Sequence, residues 1–235
     1  MMGTERFRSD GRGQRHTVRF AGSASWSLST SVDAMPHTAL YIRDALDLKP
    51  ACDGAPPPLS HRPPDRRSVL TEEERDQAGA QWPGWWQAIL SLEARMHEPS
   101  DRRDFAAWHA PMAAERARTV GDPPDFEALT DRPALKKAVV ELFREAQNYS
   151  DHTRSPDPGE AYIPWAITRD VAEEVAARHG VSLNEVRGVV IILGVEGVSS
   201  SVLEPGVVVC SLGCLGDDAI ATELVRTAFE TGLHR

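Results

Sequence analysis

Apolar positions change period several times along the chain, and each change predicts an element. In 133-PALKKAVVELFREAQ-147, Leu135, Ala138, Val139, Leu142, Phe143 and Ala146 recur at i, i+3, i+4 and i+7, which places one apolar face on a helix. Pro133 sits in its first turn, where the missing N–H costs nothing, and Thr130 or Asp131 supplies the cap. The stretch 84-GWWQAILSLEARM-96 carries Trp85, Ile89, Leu92 and Met96 on one stripe with Trp86 and Leu90 beside it, the pattern of a heavily buried helix. Ahead of it, Thr71 and Glu74 have capping-box spacing and 72-EEE-74 suits a helix N-terminus, so a short helix is expected to about Ala80, with Pro83 interrupting. A further helix is expected within 101–118, ended or kinked by Pro111, before a turn at 121-GDPPD-125. The tryptophans of 82-WPGWW-86 are read as core.

The C-terminal third switches period. A helix is expected over 168–179, two strands within 188-GVVIILGVEG-197 and 205-PGVVVC-210 from their glycines and β-branched residues, and a last helix over 217–231. No periodic apolar face is found in residues 1–34, which carry five arginines and the serine-rich 23-SASWSLSTS-31, so this segment is expected to be a disordered leader. Met35 opens a short apolar segment, 35–49, and is itself a candidate start. Six prolines in 50-PACDGAPPPLSHRPP-64 make 50–70 a Pro-rich linker, and 71–235 is the globular domain. The expected fold is α+β: a mostly helical single domain with a small β-sheet in its C-terminal third, preceded by the leader and linker.

Composition narrows the function classes. A net charge of −9 removes the general affinity for phosphate backbones and anionic lipid that clustered cations provide, so nucleic acid is a poor partner. The longest apolar runs, such as 189-VVIIL-193, are too short to span a bilayer, and no membrane partner is expected. Three cysteines, Cys52, Cys210 and Cys214, cannot build a disulfide framework, and no apolar signal segment opens the chain, so a soluble intracellular protein is expected. Nucleophile elbow, H-E-x-x-H and P-loop signatures are absent, and neither an enzyme nor a cofactor is expected.

Three features carry candidate chemistry. In 175-VAARHGVSLNEVRGVV-190, Ala176, Gly180 and Val186 have helix-turn-helix spacing, with Ser182 and Glu185 forming a capping box; the outward candidates for DNA contact are Asn184 and Arg187. Across 167–190 three arginines face four carboxylates, and Gly188 followed by β-branched residues turns the chain toward strand, so a buried helix-turn-strand corner is the favoured reading. Cys210 and Cys214 end a presumed strand and are weak metal candidates, with two buried structural thiols favoured. Ser68 after two arginines, Thr71 before three glutamates and Ser155 before Pro156 are phosphorylation candidates.

Two resemblances add to this. The segments 142-LFREAQ-147, 161-AYIP-164, 175-VAARHGVSLNEVRGV-189 and 207-VVVCSLGC-214 resemble the thioredoxin-like iron–sulfur subunit of NADH dehydrogenases, which would imply Cys210 and Cys214 as the first two cluster ligands; the four cysteines that family uses are not all present in this chain, and the gap in its first pair differs. The arginine- and serine-rich leader, the proline strip, arginine in preference to lysine and the block 71-TEEERDQAGAQWPGWWQAILSLEARM-96 together resemble a small alphaherpesvirus nuclear phosphoprotein. That resemblance implies a non-enzymatic accessory or regulatory phosphoprotein of the host nucleus, with the cytoplasm as the alternative location, acting through viral or host protein partners.

Overall fold

The computed structural model describes residues 15–20, 23–52, 54–97, 105–153 and 163–233. Its elements are β1 (Arg15–Phe20), β2 (Ser23–Ser31), α1 (Ala34–Ala45), α2 (Glu72–His97), α3 (Phe105–Thr119), α4 (Pro133–Thr153), α5 (Trp165–His179), β3 (Arg187–Leu193), β4 (Ser200–Glu204), β5 (Val207–Ser211) and α6 (Asp218–Gly232). The fold is α+β and mostly helical, around one small sheet of order β1-β2-β3-β5-β4. Strands β2, β3 and β5 run parallel, and β1 and β4 flank them antiparallel.

Helices cover both faces of the sheet, and this explains the unbroken apolar run of β3. Val189, Ile191 and Leu193 enter a core shared with α1, α2 and α4. Val190 and Ile192 enter a second core shared with α5 and α6. A strand buried on both faces has no polar alternation to display. The expected α2 stripe forms the heart of the first core, where Trp82 Nε1 donates to the Ala39 carbonyl at 3.0 Å and Trp85 Nε1 to the Val120 carbonyl at 2.9 Å. Both indoles thus satisfy their only polar atom inside an apolar setting.

Pro83 does not interrupt this helix, contrary to the expectation of two: α2 runs continuously from Glu72 to His97. A proline inside a helix costs about 3 kcal/mol in lost bonding and steric conflict. Trp82, Trp85 and Ile89, on both sides of the proline, are buried in the same core. Burial of each aromatic is worth several kcal/mol, so the common face outweighs the break. Pro111 is likewise internal to α3, and α4 continues to Thr153, into what was expected to be loop.

The N-terminal boundary moves most. Residues 1–14 lie outside the described residues, but 23–31, expected within a disordered leader, forms the strand β2 beside β3. Trp26 and Leu28 are buried in the second core, and Asp33 caps α1 by accepting the Met35 N–H at 3.1 Å. The segment 35–49 is mostly α1, buried along nearly its whole length.

The Pro-rich segment is also no free linker. Arg43, buried on α1, donates from Nη1 to the Pro56 carbonyl at 2.6 Å and from Nη2 to the Pro57 carbonyl at 2.8 Å. Asp44 accepts the Leu59 N–H at 2.7 Å, the Glu196 N–H donates to the Pro58 carbonyl at 2.8 Å, and the Ser60 N–H to the Gly194 carbonyl at 2.9 Å. Prolines lack donors but keep their carbonyls, and here those carbonyls tie a strap across the end of the sheet. The single domain therefore extends back from Thr71 through the strap and α1 to β2.

Candidate functional site

The surface that differs from an ordinary closed domain lies at β4. Strand β3 leaves the sheet at Gly194, and the chain turns at Gly197 (φ +74°) to enter β4. It then reverses through Pro205 and Gly206 (φ +78°) into β5, with Glu204 paired to Val207. Proline followed by a positive-φ glycine is the sequence such a two-residue reversal requires.

The start of β4 is held from beneath. Ser211 Oγ donates to the Gly197 carbonyl at 2.9 Å and accepts the Ser199 N–H at 3.0 Å. Cys214 Sγ donates to the Ser199 carbonyl at 3.2 Å. A side chain at Gly213 would place its Cβ 2.4 Å from the Gly197 oxygen, so glycine is what lets the turn close down on the 212–216 segment.

The ladder fixes which way β4 points. The Ser211 N–H donates to the Ser199 carbonyl at 2.8 Å, making Ser199 and Ser211 a hydrogen-bonded pair. In an antiparallel ladder such pairs alternate. Ser201, opposite Val209, therefore faces β5 again, while Ser200 and Val202 turn their N–H and C=O groups to the open side of the sheet. The other flank of β5 agrees, since Gly206 gives its carbonyl to the Val189 N–H of β3 at 2.8 Å.

Grooves lie on both faces of this edge. On the α6 side a groove of ≈ 480 Å³ is lined by Val202, Val208, Ile220, Glu223 and Leu224. On the α2 side one of ≈ 450 Å³ lies between β4, Trp86, Leu90 and the strap at Pro56 and Pro57. Val202 is 48% exposed and Val198, just before the strand, 61%. Among the described residues no strand pairs with the outer side of β4, and Ser200–Glu204 carries no lysine or proline, although the strand is short and a bulge falls between Val202 and Glu204.

No known protein family, curated protein or solved structure matches the chain.

The structure separates the residues singled out from sequence. Asn184 lies on a single 3-10 turn (Leu183–Glu185), closed by the Ser182–Glu185 capping box, and Arg187 begins β3 with its Nε donating to the Asn184 carbonyl at 3.1 Å. The stretch is a helix-turn-strand corner, and no second helix follows Gly180 to enter a groove of DNA. Ser68 is exposed on a 3-10 turn at the end of the strap. Thr71 is exposed and caps α2, its Oγ1 accepting the Glu74 N–H at 3.2 Å while Glu74 accepts the Thr71 N–H at 2.8 Å. Ser155 lies outside the described residues.

Cys210 and Cys214 come together beneath β4, 2% and 1% exposed. The Cys214 thiol beside it, with burial, pushes Cys210 well above the ordinary thiol range. The same contact draws Cys214 down, yet a buried thiolate against the Ser199 carbonyl would be uncompensated, so Cys214 keeps its proton and donates. Cys52 is exposed on the strap. No group of three or more His, Cys, Asp or Glu side chains among the described residues gathers to hold a metal, and no helix of the described residues is long and apolar enough to cross a membrane.

One further polar cluster is buried at the carboxyl end of β2. Ser31 Oγ donates to Glu93 Oε2 at 3.2 Å, and His97 Nε2 lies 3.5 Å from the same oxygen. Burial raises the Glu93 carboxyl above its usual range, against the opposing pull of His97. The serine is bonded to a carboxylate instead of an imidazole, so these contacts make no activated nucleophile.

Sequence reasoning missed β4 itself. Its signal was Pro205–Gly206 between two β-prone runs, a hairpin spacing that pairs 200–204 with 207–211.

Proposed function

We propose that this chain is a non-enzymatic accessory protein that works by holding an extended segment of another protein against the open edge of β4. The observation that carries this reading is the outward set of backbone groups on Ser200 and Val202, flanked above and below by grooves able to take alternate side chains. Strand addition draws affinity from main-chain hydrogen bonds and specificity from such alternating pockets. Up to four new hydrogen bonds at about 1 kcal/mol net each, plus apolar contact, offset by ordering of the segment, correspond to a weak, reversible interaction.

The resemblance to small alphaherpesvirus nuclear phosphoproteins fits this mode of action and extends it: an accessory protein of a GC-rich DNA virus, located in the host nucleus and modified at Ser68 or Thr71. Both hydroxyl residues are exposed at the junction of the strap with α2, close in sequence to Arg66 and Arg67, which are ion-paired with Glu145 and Asp65 and would have to exchange partners to meet a phosphate.

The test is a comparison of the protein with its Val202→Pro variant in expressing cells, by proximity cross-linking and mass spectrometry. Cross-links from 198–204 to a partner, lost in the variant, are expected, together with nuclear localisation and phosphate on Ser68 or Thr71. An identical partner set from both proteins would overturn the edge as the site, and cytoplasmic retention without phosphate would overturn the nuclear phosphoprotein assignment.

A further inference from the structure

Resting on the edge reading above, we infer that the segment β4 takes up is basic: an extended stretch of another protein whose paired residues are small or β-branched and whose flanks carry arginine or lysine. From Gly188 to Val225 the chain has no lysine, arginine or histidine, and it has Glu196, Glu204, Asp217, Asp218 and Glu223. The fold gathers these around one strand. Helix α6 starts beside the Ser200 end of β4, because β5 ends at Ser211 next to Ser199 and α6 returns along it, with Thr231 accepting the Gly206 N–H at 3.0 Å at the far end. Asp217, Asp218 and Glu196 therefore stand toward one end of the edge and Glu204 at the other, while Glu223 lines the groove between. On α6, Arg226 is held between Glu174 at 2.7 Å and Glu223 at 3.3 Å, and Arg187, which begins β3, turns its Nε to the Asn184 carbonyl.

The grooves set the middle of the segment. Side chains pointing to one face of an added strand would meet Val202, Val208 and Ile220, and those pointing to the other would meet Trp86, Leu90 and Pro57. Both walls are apolar and suit branched aliphatic residues. Acid at both ends with an apolar middle is the complement of cations flanking a short β-prone run.

A second copy of this chain fits less well. Antiparallel self-pairing centred on Val202 would lay each copy's Glu204 across from Ser200 of the other and bring both acidic sets side by side, which opposes association.

The experiment uses the full chain and two synthetic ten-residue peptides, each alternating threonine and valine, one with an arginine pair at both ends and its twin with glutamate pairs. Fluorescence anisotropy at low salt is expected to give binding of the basic peptide about thirtyfold tighter than its twin, most of the gap closing near ~0.5 M salt. Val202→Pro should abolish binding of the basic peptide. It removes an outward N–H and no ladder bond, so the urea midpoint should stay close to that of the parent. Val202→Lys keeps the N–H but adds a cation at the edge, and should narrow the preference from the other side. Equal binding of both peptides, abolished by Val202→Pro, would leave the edge reading standing and overturn the basic partner. Binding of neither peptide, or binding unaffected by Val202→Pro, would overturn both. A dimer in sedimentation that Val202→Pro dissociates would give the edge to a second copy and overturn the inference.

Discussion

Leu28→Ala tests whether the serine-rich N-terminal segment belongs to the core. Leu28 is 1% exposed and lies opposite Gly188 in the β2–β3 register. A Cβ added at Gly188 would stand 3.2 Å from Leu28 Cδ1, 3.2 Å from Phe229 Cδ1 and 3.1 Å from Ala228 Cβ, so the leucine fills a notch whose walls are the β3 backbone and α6. The β3 wall cannot move inward without unpairing the sheet, so the cavity left by truncation would persist at least in part. Buried Leu→Ala changes cost about 2–5 kcal/mol, rising with the cavity that remains, which puts this one at about 3–4 kcal/mol. Urea unfolding followed by tryptophan fluorescence measures it: with a slope near ~3 kcal/mol per molar, the midpoint falls by about 1 M. A side chain in a disordered leader would change stability by no more than about 0.5 kcal/mol. A midpoint unmoved by Leu28→Ala refutes the placement of β2. The same reasoning covers initiation at Met35. A chain starting there lacks β2 and leaves the apolar strand β3 as an edge, so it should lose the cooperative transition, and an unchanged midpoint would again refute the assignment.

Three further outcomes follow from buried contacts. Asp44→Ala removes the acceptor of the Leu59 N–H and the partner of buried Arg43; a loss of about 2–3 kcal/mol and selective proteolysis within 50–66 are expected, and a digestion pattern matching the parent would show that the strap is held by other means. Burial raises Glu93 above its usual range while Asp33, Ser31 and His97 face it. The folded state therefore holds that proton more tightly than the unfolded one, so Glu93 contributes stability at acid pH that is lost as pH rises through its raised folded value. Glu93→Gln, which still accepts from Ser31, should flatten stability against pH and exceed the parent above neutrality; parallel pH profiles would count against it. Iodoacetamide on the native protein should label Cys52 and leave Cys210 and Cys214 unmodified until denaturant is added, as peptide mass spectrometry would report.

What could be read from the chain depended on whether a residue's role is set by its neighbours in sequence or in space. Helix α4 was legible because its apolar face obeys one period and a single partner surface; the second half of α2 was legible for the same reason. Strand β2 had its signal in plain alternation, Ser25, Trp26, Ser27, Leu28, Ser29, but serine hid it. Averaged hydropathy sees a polar segment, whereas the sheet needs Trp26 and Leu28 on one face and, on the other, residues small enough for α2 to approach, as Ser31 does where it meets Glu93. The strap failed for a related reason. Proline content reports what the backbone cannot donate and says nothing of its carbonyls, whose partners Arg43 and Glu196 lie outside the segment.

The edge at β4 was the least legible feature, and its strand order explains why. Pro205 and Gly206 announce a hairpin, but a hairpin alone leaves open which of its strands continues the sheet. That choice is made by β3, which pairs with β5 from Val189 to Leu193 and so commits β5 to the interior. Once β5 is interior, the alternation begun at Ser199 decides that Ser200 and Val202 face outward, and the absence of cations from 188 to 225, unremarkable as a statement about sequence, leaves only carboxylates among the charged residues of the β4–β5 hairpin and its flanks. The chain's net negative charge, which argued against phosphate partners when summed over all residues, is uncompensated by any lysine, arginine or histidine from 188 to 225, around the edge at which we propose a partner backbone binds.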